Sequence, residues 1–224
     1  MEQLEKLKYG ASYLEEIQAT EGKEKAERIW KDAVHRYENL VLENNRLSDG
    51  IKAHTEKMIF PAIAVYQALL ETDPEKAMNI METAESRVSI KTGASYRKLV
   101  SPVFMRRIFL KIFSKGSKKG FSDQSGFINR CIRDDRTDIA FHIEKCPYHD
   151  FCTKYGCPEL THIFCQNDIN AYGNLPASSL SGMKRWEAEE AAAISIFFLK
   201  TNDPIKKITE RKNNAVPYFR LQKQ

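Results

Sequence analysis

Apolar residues recur every three or four positions along much of the first half of the chain, which is the spacing of one face of an α-helix. The first such stripe predicts an amphipathic helix over residues 30–47, ended by the turn residues Ser48, Asp49 and Gly50. The apolar positions along this stripe are Ile29, Ala33, Tyr37, Leu40 and Val41.

Two further helices are predicted in this half. One is predicted over residues 52–71, and Pro61 should bend it or divide it in two. It contains the longest apolar run of the chain, residues 58–70, which indicates that the helix is buried. Asp73 and Pro74 then form a start signal, because Asp is a favourable N-cap and Pro fits the first helical turn. The helix that they open, residues 75–90, should bury four residues: Ala77, Ile80, Met81 and Ala84.

A basic helix is predicted over residues 103–113, directly after Pro102. Such a helix either binds a membrane surface or a partner, or packs in the core with its cations in water. We favour the core helix, because the stripe is no broader than an ordinary core face. Residues 114–120 are rich in Gly, Ser and Lys and are predicted to be a loop and a domain boundary. The apolar positions are Phe104, Ile108, Phe109, Ile112 and Phe113, and the cations are Arg106, Arg107 and Lys111.

The second half of the chain combines short strands with helices. Strands are predicted over residues 138–144 and 194–199, and between them two helices over residues 148–155 and 158–172, separated by Gly156. Together these elements predict an α+β fold, in which an N-terminal helical region packs on a small mixed α/β segment with a short sheet.

The predicted organisation has three parts. Residues 1–120 form the helical region and residues 121–200 the cysteine-rich α/β catalytic segment, and the two make one compact domain. Residues 201–224 form a basic C-terminal tail.

The net charge of +5 changes this picture little. Residues 200–224 contain seven Lys/Arg and two Asp/Glu, so the end of the chain accounts for the whole excess. We therefore expect no nucleic-acid partner, and no membrane partner either, because no apolar run reaches the 18 or more residues that a span needs. The odd number of cysteines, five, and the polar first residues favour reduced thiols in a cytoplasmic protein. The oligomeric state is left open.

The candidate chemistry is concentrated in one segment. All five cysteines and three of the five histidines lie within residues 131–165. Thiolates are nucleophiles and metal ligands, and imidazole is a base or a ligand near neutral pH. The sequence therefore predicts that the functional site is formed here.

A zinc site is one interpretation of this segment. His149 and Cys152 are three residues apart, as are His162 and Cys165, so two pairs could supply a Cys₂His₂ tetrahedron. The spacings match no common zinc module, and free cysteines are often simply buried. We expect no cofactor, with zinc on this set as the alternative.

Acid–base or nucleophilic catalysis is the second interpretation. After Pro158, a polar ridge at intervals of three residues comprises Glu159, His162, Cys165 and Asp168. A cysteine beside an imidazole and a carboxyl has the composition of an activated nucleophile. A solvated helix edge would equally account for Glu159 and Asp168.

Three short blocks in a fixed order carry a family resemblance. They are Cys146-Pro147-Tyr148, Gly156-x-Pro158-Glu159-Leu160 and Phe164-Cys165-x-x-Asp168. This arrangement resembles the L-2-amino-thiazoline-4-carboxylic acid hydrolase family over residues 58–199. The family's closing glycine pair and last cysteine are absent, and Ser195 or Ile196 stands where that cysteine is expected.

The resemblance implies a hydrolase acting on C–N/C–S bonds, which opens a small cyclic amidine and gives an N-carbamoyl cysteine-type product. The implied reaction on this small-molecule substrate needs a nucleophile or an activated water molecule, a proton donor to the ring nitrogen, and a cation for the carboxylate. The implied catalytic residues are Cys165 as nucleophile, Asp168 as proton donor or orienting group, Cys146 as pocket residue or alternative nucleophile, and Glu159 as reserve acid. The implied substrate-binding residues are Arg185 and Tyr148. The alternative is a non-enzymatic protein on the same scaffold that binds a small ligand or metal, or senses redox state.

Overall fold

The computed structural model describes residues 2–134, 138–173, 175 and 199–200. Within them the chain is mostly helical with a small antiparallel sheet, so the predicted α+β fold is confirmed. The helices are α1 (Glu2–Glu5), α2 (Gly10–Glu21), α3 (Lys23–Glu43), α4 (Asp49–His54), α5 (Phe60–Thr72), α6 (Pro74–Leu99), α7 (Val103–Gly120), α8 (Pro147–Lys154) and α9 (Leu160–Tyr172). The strands are β1 (Ile128–Asp134), β2 (Asp138–Lys145) and β3 (Leu199–Lys200). No helix in the described ranges is both long and apolar enough to cross a lipid bilayer.

Helix α5 forms the centre of the main core and packs against α3. The predicted burial of the 58–70 run is confirmed, since nearly every side chain from Phe60 to Leu69 is buried from solvent. Pro61 lies in the first turn of α5 and divides the predicted helix, as expected. The join is a π-turn, Thr55–Ile59, in which the Phe60 N–H donates to the Thr55 carbonyl.

Helix α6 begins at Pro74, and the four residues predicted to be buried on it are fully buried. The helix continues beyond the predicted end to Leu99 and packs against both α2 and α9. Gly93 permits the contact with α9, because a Cβ atom at this position would lie 2.3 Å from the Asn170 backbone oxygen.

Helix α7 differs from its prediction in two ways. Residues 114–120 are helical, so the predicted loop is wrong. The Ser114 hydroxyl donates to the Asp134 carboxylate of β1 at 2.7 Å, and Lys118 binds the same carboxylate. These two contacts favour the helical extension. The predicted core stripe is only partly buried. Phe109 and Phe113 pack against Tyr96 and Tyr172, whereas Phe104, Ile108 and Ile112 are exposed.

Strand β2 is the middle strand of the sheet, antiparallel to β1 and β3. The strand predicted over residues 138–144 is confirmed, while β1 was not predicted because its sequence alternates poorly. Of the second predicted strand, Leu199 lies in β3 and residues 194–198 lie outside the described residues. The basic tail, residues 201–224, lies outside them too.

The two helices predicted in the cysteine-rich segment are confirmed as α8 and α9. Pro147 opens α8 directly after β2, and the left-handed backbone of Gly156 (φ 74°) allows the tight turn between the two helices. Because α9 then packs along α6, the cysteine-rich segment contacts the N-terminal helices.

Candidate functional site

A cavity of about 150 Å³ lies where α6, α8 and α9 meet the segment before α2 and the π-turn. Helix α9 supplies the largest share of its wall, including Cys165, Asn167 and Asp168. Cys146 enters from the end of β2, at the position that caps α8. Lys8 comes from the chain before α2.

The structure therefore brings together the residues on which the family resemblance depends most. Cys146, Tyr148, Cys165 and Asp168 all line this cavity, although 22 residues of sequence separate the first from the last (146 to 168). The convergence arises because β2 and α8 lead the chain to α9, and α9 is held against α6.

Both thiols are protonated in the resting protein. Burial raises the pKa of Cys165 to about 12, and the nearby Cys146 and Asp168 act in the same direction. Burial also raises the pKa of Cys146 to about 11, although the backbone N–H groups of Tyr148 and His149 donate to its sulfur and oppose the shift. A reaction that uses either thiol as a nucleophile therefore requires a base.

Asp168 can supply that base. Burial raises the pKa of its carboxyl to about 7, and the Lys8 ammonium group opposes this shift. The residue lies deep in the protein but keeps some exposed surface, as a carboxyl on a cavity wall does. A pKa near 7 is suitable for a group that must accept and return a proton at neutral pH.

Tyr148 contributes its ring to the cavity rather than a free hydroxyl. His54 Nε2 lies 3.0 Å from the Gly120 carbonyl, which can only accept, so Nε2 carries the proton. The Tyr148 hydroxyl then donates to His54 Nδ1 at 3.1 Å. Burial lowers the pKa of His54, consistent with a neutral ring. Tyr148 also contacts Phe164 edge-on, with ring centroids 4.8 Å apart.

A buried carboxyl, Glu85, lies behind the cavity and joins three helices. The Tyr13 hydroxyl of α2 and the Asn167 Nδ2 of α9 both donate to the Glu85 carboxylate of α6. Burial raises the pKa of Glu85 to about 7, while the hydrogen bonds from Tyr13 and Asn167 oppose the shift. Asn167 is the only member of this group that also lines the cavity, among the described residues.

Other predicted site residues lie elsewhere. Glu159 is exposed at the start of α9, where it accepts a hydrogen bond from the Tyr66 hydroxyl at 2.8 Å, and it does not line the cavity. Its predicted role as a reserve acid therefore has no support from the geometry. Arg185 lies outside the described residues.

The alternative zinc set is not brought together. Cys152 is fully buried and interacts with the thiol of Cys157, whereas His162 is exposed to solvent and Cys165 lines the cavity. Across the part of the chain that the structure describes, no group of three or more potential ligands is placed to hold a metal ion. All five cysteines are free thiols.

Sequence reasoning missed Lys8, Glu85 and Asn167. Asn167 could have been found, because it lies between Cys165 and Asp168 on the same predicted helix. No sequence signal marks Lys8 or Glu85, since their proximity to the cavity depends on how α6 packs against both α2 and α9.

A small cavity lined by two thiols and a carboxyl is typical of thiol-dependent enzymes that act on small molecules. The family model of L-2-amino-thiazoline-4-carboxylic acid hydrolases matches residues 52–181, more than half of the chain. The chain therefore belongs to this family. No curated protein and no solved structure matches the chain.

Proposed function

We propose that this protein hydrolyses a small cyclic amidine that carries a carboxylate, of the 2-aminothiazoline-4-carboxylate type, to an N-carbamoyl cysteine-type product. The observation that carries the proposal is the convergence of Cys165, Cys146 and Asp168 on one cavity that Lys8 also lines. Membership of the hydrolase family agrees with this assignment.

In the proposed first step, the Cys165 sulfur attacks the amidine-type carbon, C2 of the ring. Asp168, three residues further along α9, takes the thiol proton as the S–C2 bond forms. The bond between C2 and the ring sulfur then breaks, the ring sulfur takes up the proton, and the substrate remains attached to Cys165 as an isothiourea. Proton transfer during attack is needed because the Cys165 thiol is protonated at neutral pH.

In the second step, a water molecule attacks the same carbon while Asp168 again accepts a proton. The bond to Cys165 breaks, and one proton of the water returns through Asp168 to the Cys165 sulfur. The other water proton passes to the nitrogen that was in the ring, and the product leaves as the N-carbamoyl derivative. The atoms balance as one substrate plus one water, and no oxidant or reductant is consumed.

Lys8 is the cation that we assign to the substrate carboxylate among the described residues. It lines the cavity, and its ammonium nitrogen lies 4.8 Å from the centre of the Tyr9 ring. Arg185 remains a hypothesis from the family resemblance alone.

Cys146 is the alternative nucleophile. Its sulfur accepts from two backbone N–H groups at the start of α8, which lowers the cost of a thiolate there relative to Cys165. Both thiols line the same cavity, so activity measurements on variants of each cysteine decide which one is the nucleophile.

The test is ring opening of 2-aminothiazoline-4-carboxylate by Cys165→Ala and Cys146→Ala, with the product quantified by mass spectrometry. We expect Cys165→Ala to lower kcat/KM by roughly 10³-fold or more, because the covalent step is lost. Cys146→Ala should lower it by about tenfold or less. Cys131→Ala is the matched control, because Cys131 is exposed on β1, away from the cavity, and should leave activity unchanged.

The outcome separates the alternatives. If Cys146→Ala abolishes turnover and Cys165→Ala does not, Cys146 is the nucleophile. Full activity in both variants contradicts a thiol mechanism, and an inactive wild-type protein contradicts the proposed function.

A further inference from the structure

The amide of Asn167 is held in one orientation at the cavity wall. Asn167 Nδ2 donates a hydrogen bond to Oε2 of the buried Glu85 carboxyl group. The amide NH₂ group therefore faces Glu85, and the oxygen Oδ1 faces away from it. The side chain is 7% exposed and lines the cavity.

The Oδ1 atom of Asn167 is buried and has no hydrogen-bond partner among the described residues. A buried acceptor without a donor is costly and uncommon in folded proteins. An acceptor of this kind on a cavity wall favours a ligand that brings an N–H or O–H group, and it disfavours a ligand carboxylate or an apolar group.

Glu85 fixes this arrangement from behind. Its carboxylate receives the Tyr13 hydroxyl as well as Asn167 Nδ2, so donors from α2 and α9 meet on a residue of α6. The other charged and titratable groups that interact with this part of the molecule include Lys8, Tyr9, Tyr148 and Asp168. Glu85 does not line the cavity, whereas Asn167 does, so Glu85 is placed to act on a ligand through Asn167.

We propose that Asn167 selects the ligand of this cavity by accepting a hydrogen bond from an amidine-type N–H group, with Glu85 as its positioning residue. The identity of the ligand as a cyclic amidine rests on the proposed function. Lys8 supplies a cation for the ligand's carboxylate and Asn167 an acceptor for its amino group. The same cavity wall thus offers one complementary group for each polar end of such a molecule.

The test compares the binding of two matched ligands that resist hydrolysis, by calorimetry on the full-length protein. They are 2-aminothiazole-4-carboxylate and 2-methylthiazole-4-carboxylate, in which a methyl group replaces the N–H donor. We expect the wild-type protein to bind the amino compound about tenfold or more tightly. In Asn167→Ala this ratio should fall to about one.

Glu85→Gln provides a second test that does not require loss of the Asn167 side chain. A Gln can donate as well as accept, so it no longer fixes the Asn167 amide, and the ratio should fall several-fold while the fold is kept. The ratio of the two affinities is informative because a general loss of stability weakens the binding of both ligands equally. Melting temperatures of the same samples identify variants that fail to fold.

The results separate this inference from the proposed function. An unchanged ratio in folded Asn167→Ala or Glu85→Gln overturns the inference, even if the wild type opens the thiazoline ring. Equal binding of both ligands by the wild type, or no binding of either, overturns it too. An Asn167-dependent preference in a protein that opens no ring supports the inference and contradicts the proposed function.

Discussion

Two helical surfaces with similar sequence patterns have different environments in this protein. Where α6 meets α9, Glu85 accepts hydrogen bonds from Tyr13 and Asn167 in a buried network, and Gly93 allows the two backbones to lie close together. The outer face of α7 is apolar as well, yet Phe104 is 66% and Ile112 is 67% exposed.

This difference shows what hydrophobic periodicity does and does not determine. A stripe of apolar residues predicts which side of a helix is apolar, but a second element must be present to cover that side. For α6, the covering element is α9, some 80 residues further along the chain, and Gly93 allows its close approach. On α7, Tyr96 and Tyr172 cover one flank. No described residue covers the other flank to the same extent.

Gly93→Ala should have the largest effect on the difference between the α6–α9 contact and the outer face of α7. The new Cβ would lie 2.3 Å from the Asn170 backbone oxygen, so α9 must move away from α6. We expect the free energy of unfolding to fall by about 3 kcal/mol or more, measured by urea denaturation. Gly116→Ala on α7 is the control. An added Cβ there meets no atom within 4 Å, so helix propensity should raise stability by about 0.5–1 kcal/mol. Equal effects of the two substitutions would contradict the tight α6–α9 contact.

A second pair of variants compares the two flanks of α7. Leu110 is 2% exposed, and Leu110→Ala should lower the free energy of unfolding by about 3 kcal/mol because it leaves a cavity. Ile112 is two residues away and exposed, so Ile112→Ala should change stability by about 0.5 kcal/mol or less. A large loss in Ile112→Ala would show that another element covers this face in solution.

A third comparison concerns the charge within the buried network. Burial raises the pKa of Glu85 in the folded protein to about 7, from an ordinary 4.5. The folded state therefore holds this proton more tightly than the unfolded state. The contribution to stability is complete below pH 4.5 and is lost as the pH rises through 7.

Between pH 5 and pH 8 the wild-type protein should lose at most about 3 kcal/mol more stability than Glu85→Gln, at about 1.4 kcal/mol for each pKa unit. The comparison isolates Glu85, because Asp168 and the other titrating groups are present in both proteins. Urea denaturation at both pH values measures the difference. Identical pH dependence in the two proteins would show that Glu85 does not titrate in this range.

Much of the fold could be predicted from local pattern. The start of α6 follows from Asp73 and Pro74, and the division before α5 follows from Pro61, since both depend on backbone chemistry at single positions. The helical state of residues 114–120 could not be predicted in the same way. Their Gly, Ser and Lys content is typical of a loop, and the contacts of Ser114 and Lys118 with Asp134 come from a strand later in the chain.

The candidate site could be predicted only in part, for a similar reason. Cys165 and Asp168 lie three residues apart on one helix, so their proximity is local and visible in the sequence. Their contact with Cys146 required the family resemblance. Lys8 lies on the cavity wall and Glu85 lies behind it because α6 packs against both α2 and α9, and such long-range contacts cannot be predicted from hydrophobic periodicity.

The π-turn at Thr55–Ile59 has a consequence for how the chain tolerates changes in length. A π-turn contains one residue more than the α-helical path it replaces, so a single deletion there would join α4 to α5 as one continuous helix rotated by about 100°. Ser48 and His54 would then swing away from the carbonyl groups of Gln124 and Gly120 that they now bind. The alignment of α4 with these two carbonyl groups thus depends on one extra residue, and a deletion here should be more destabilising than a deletion in an exposed loop.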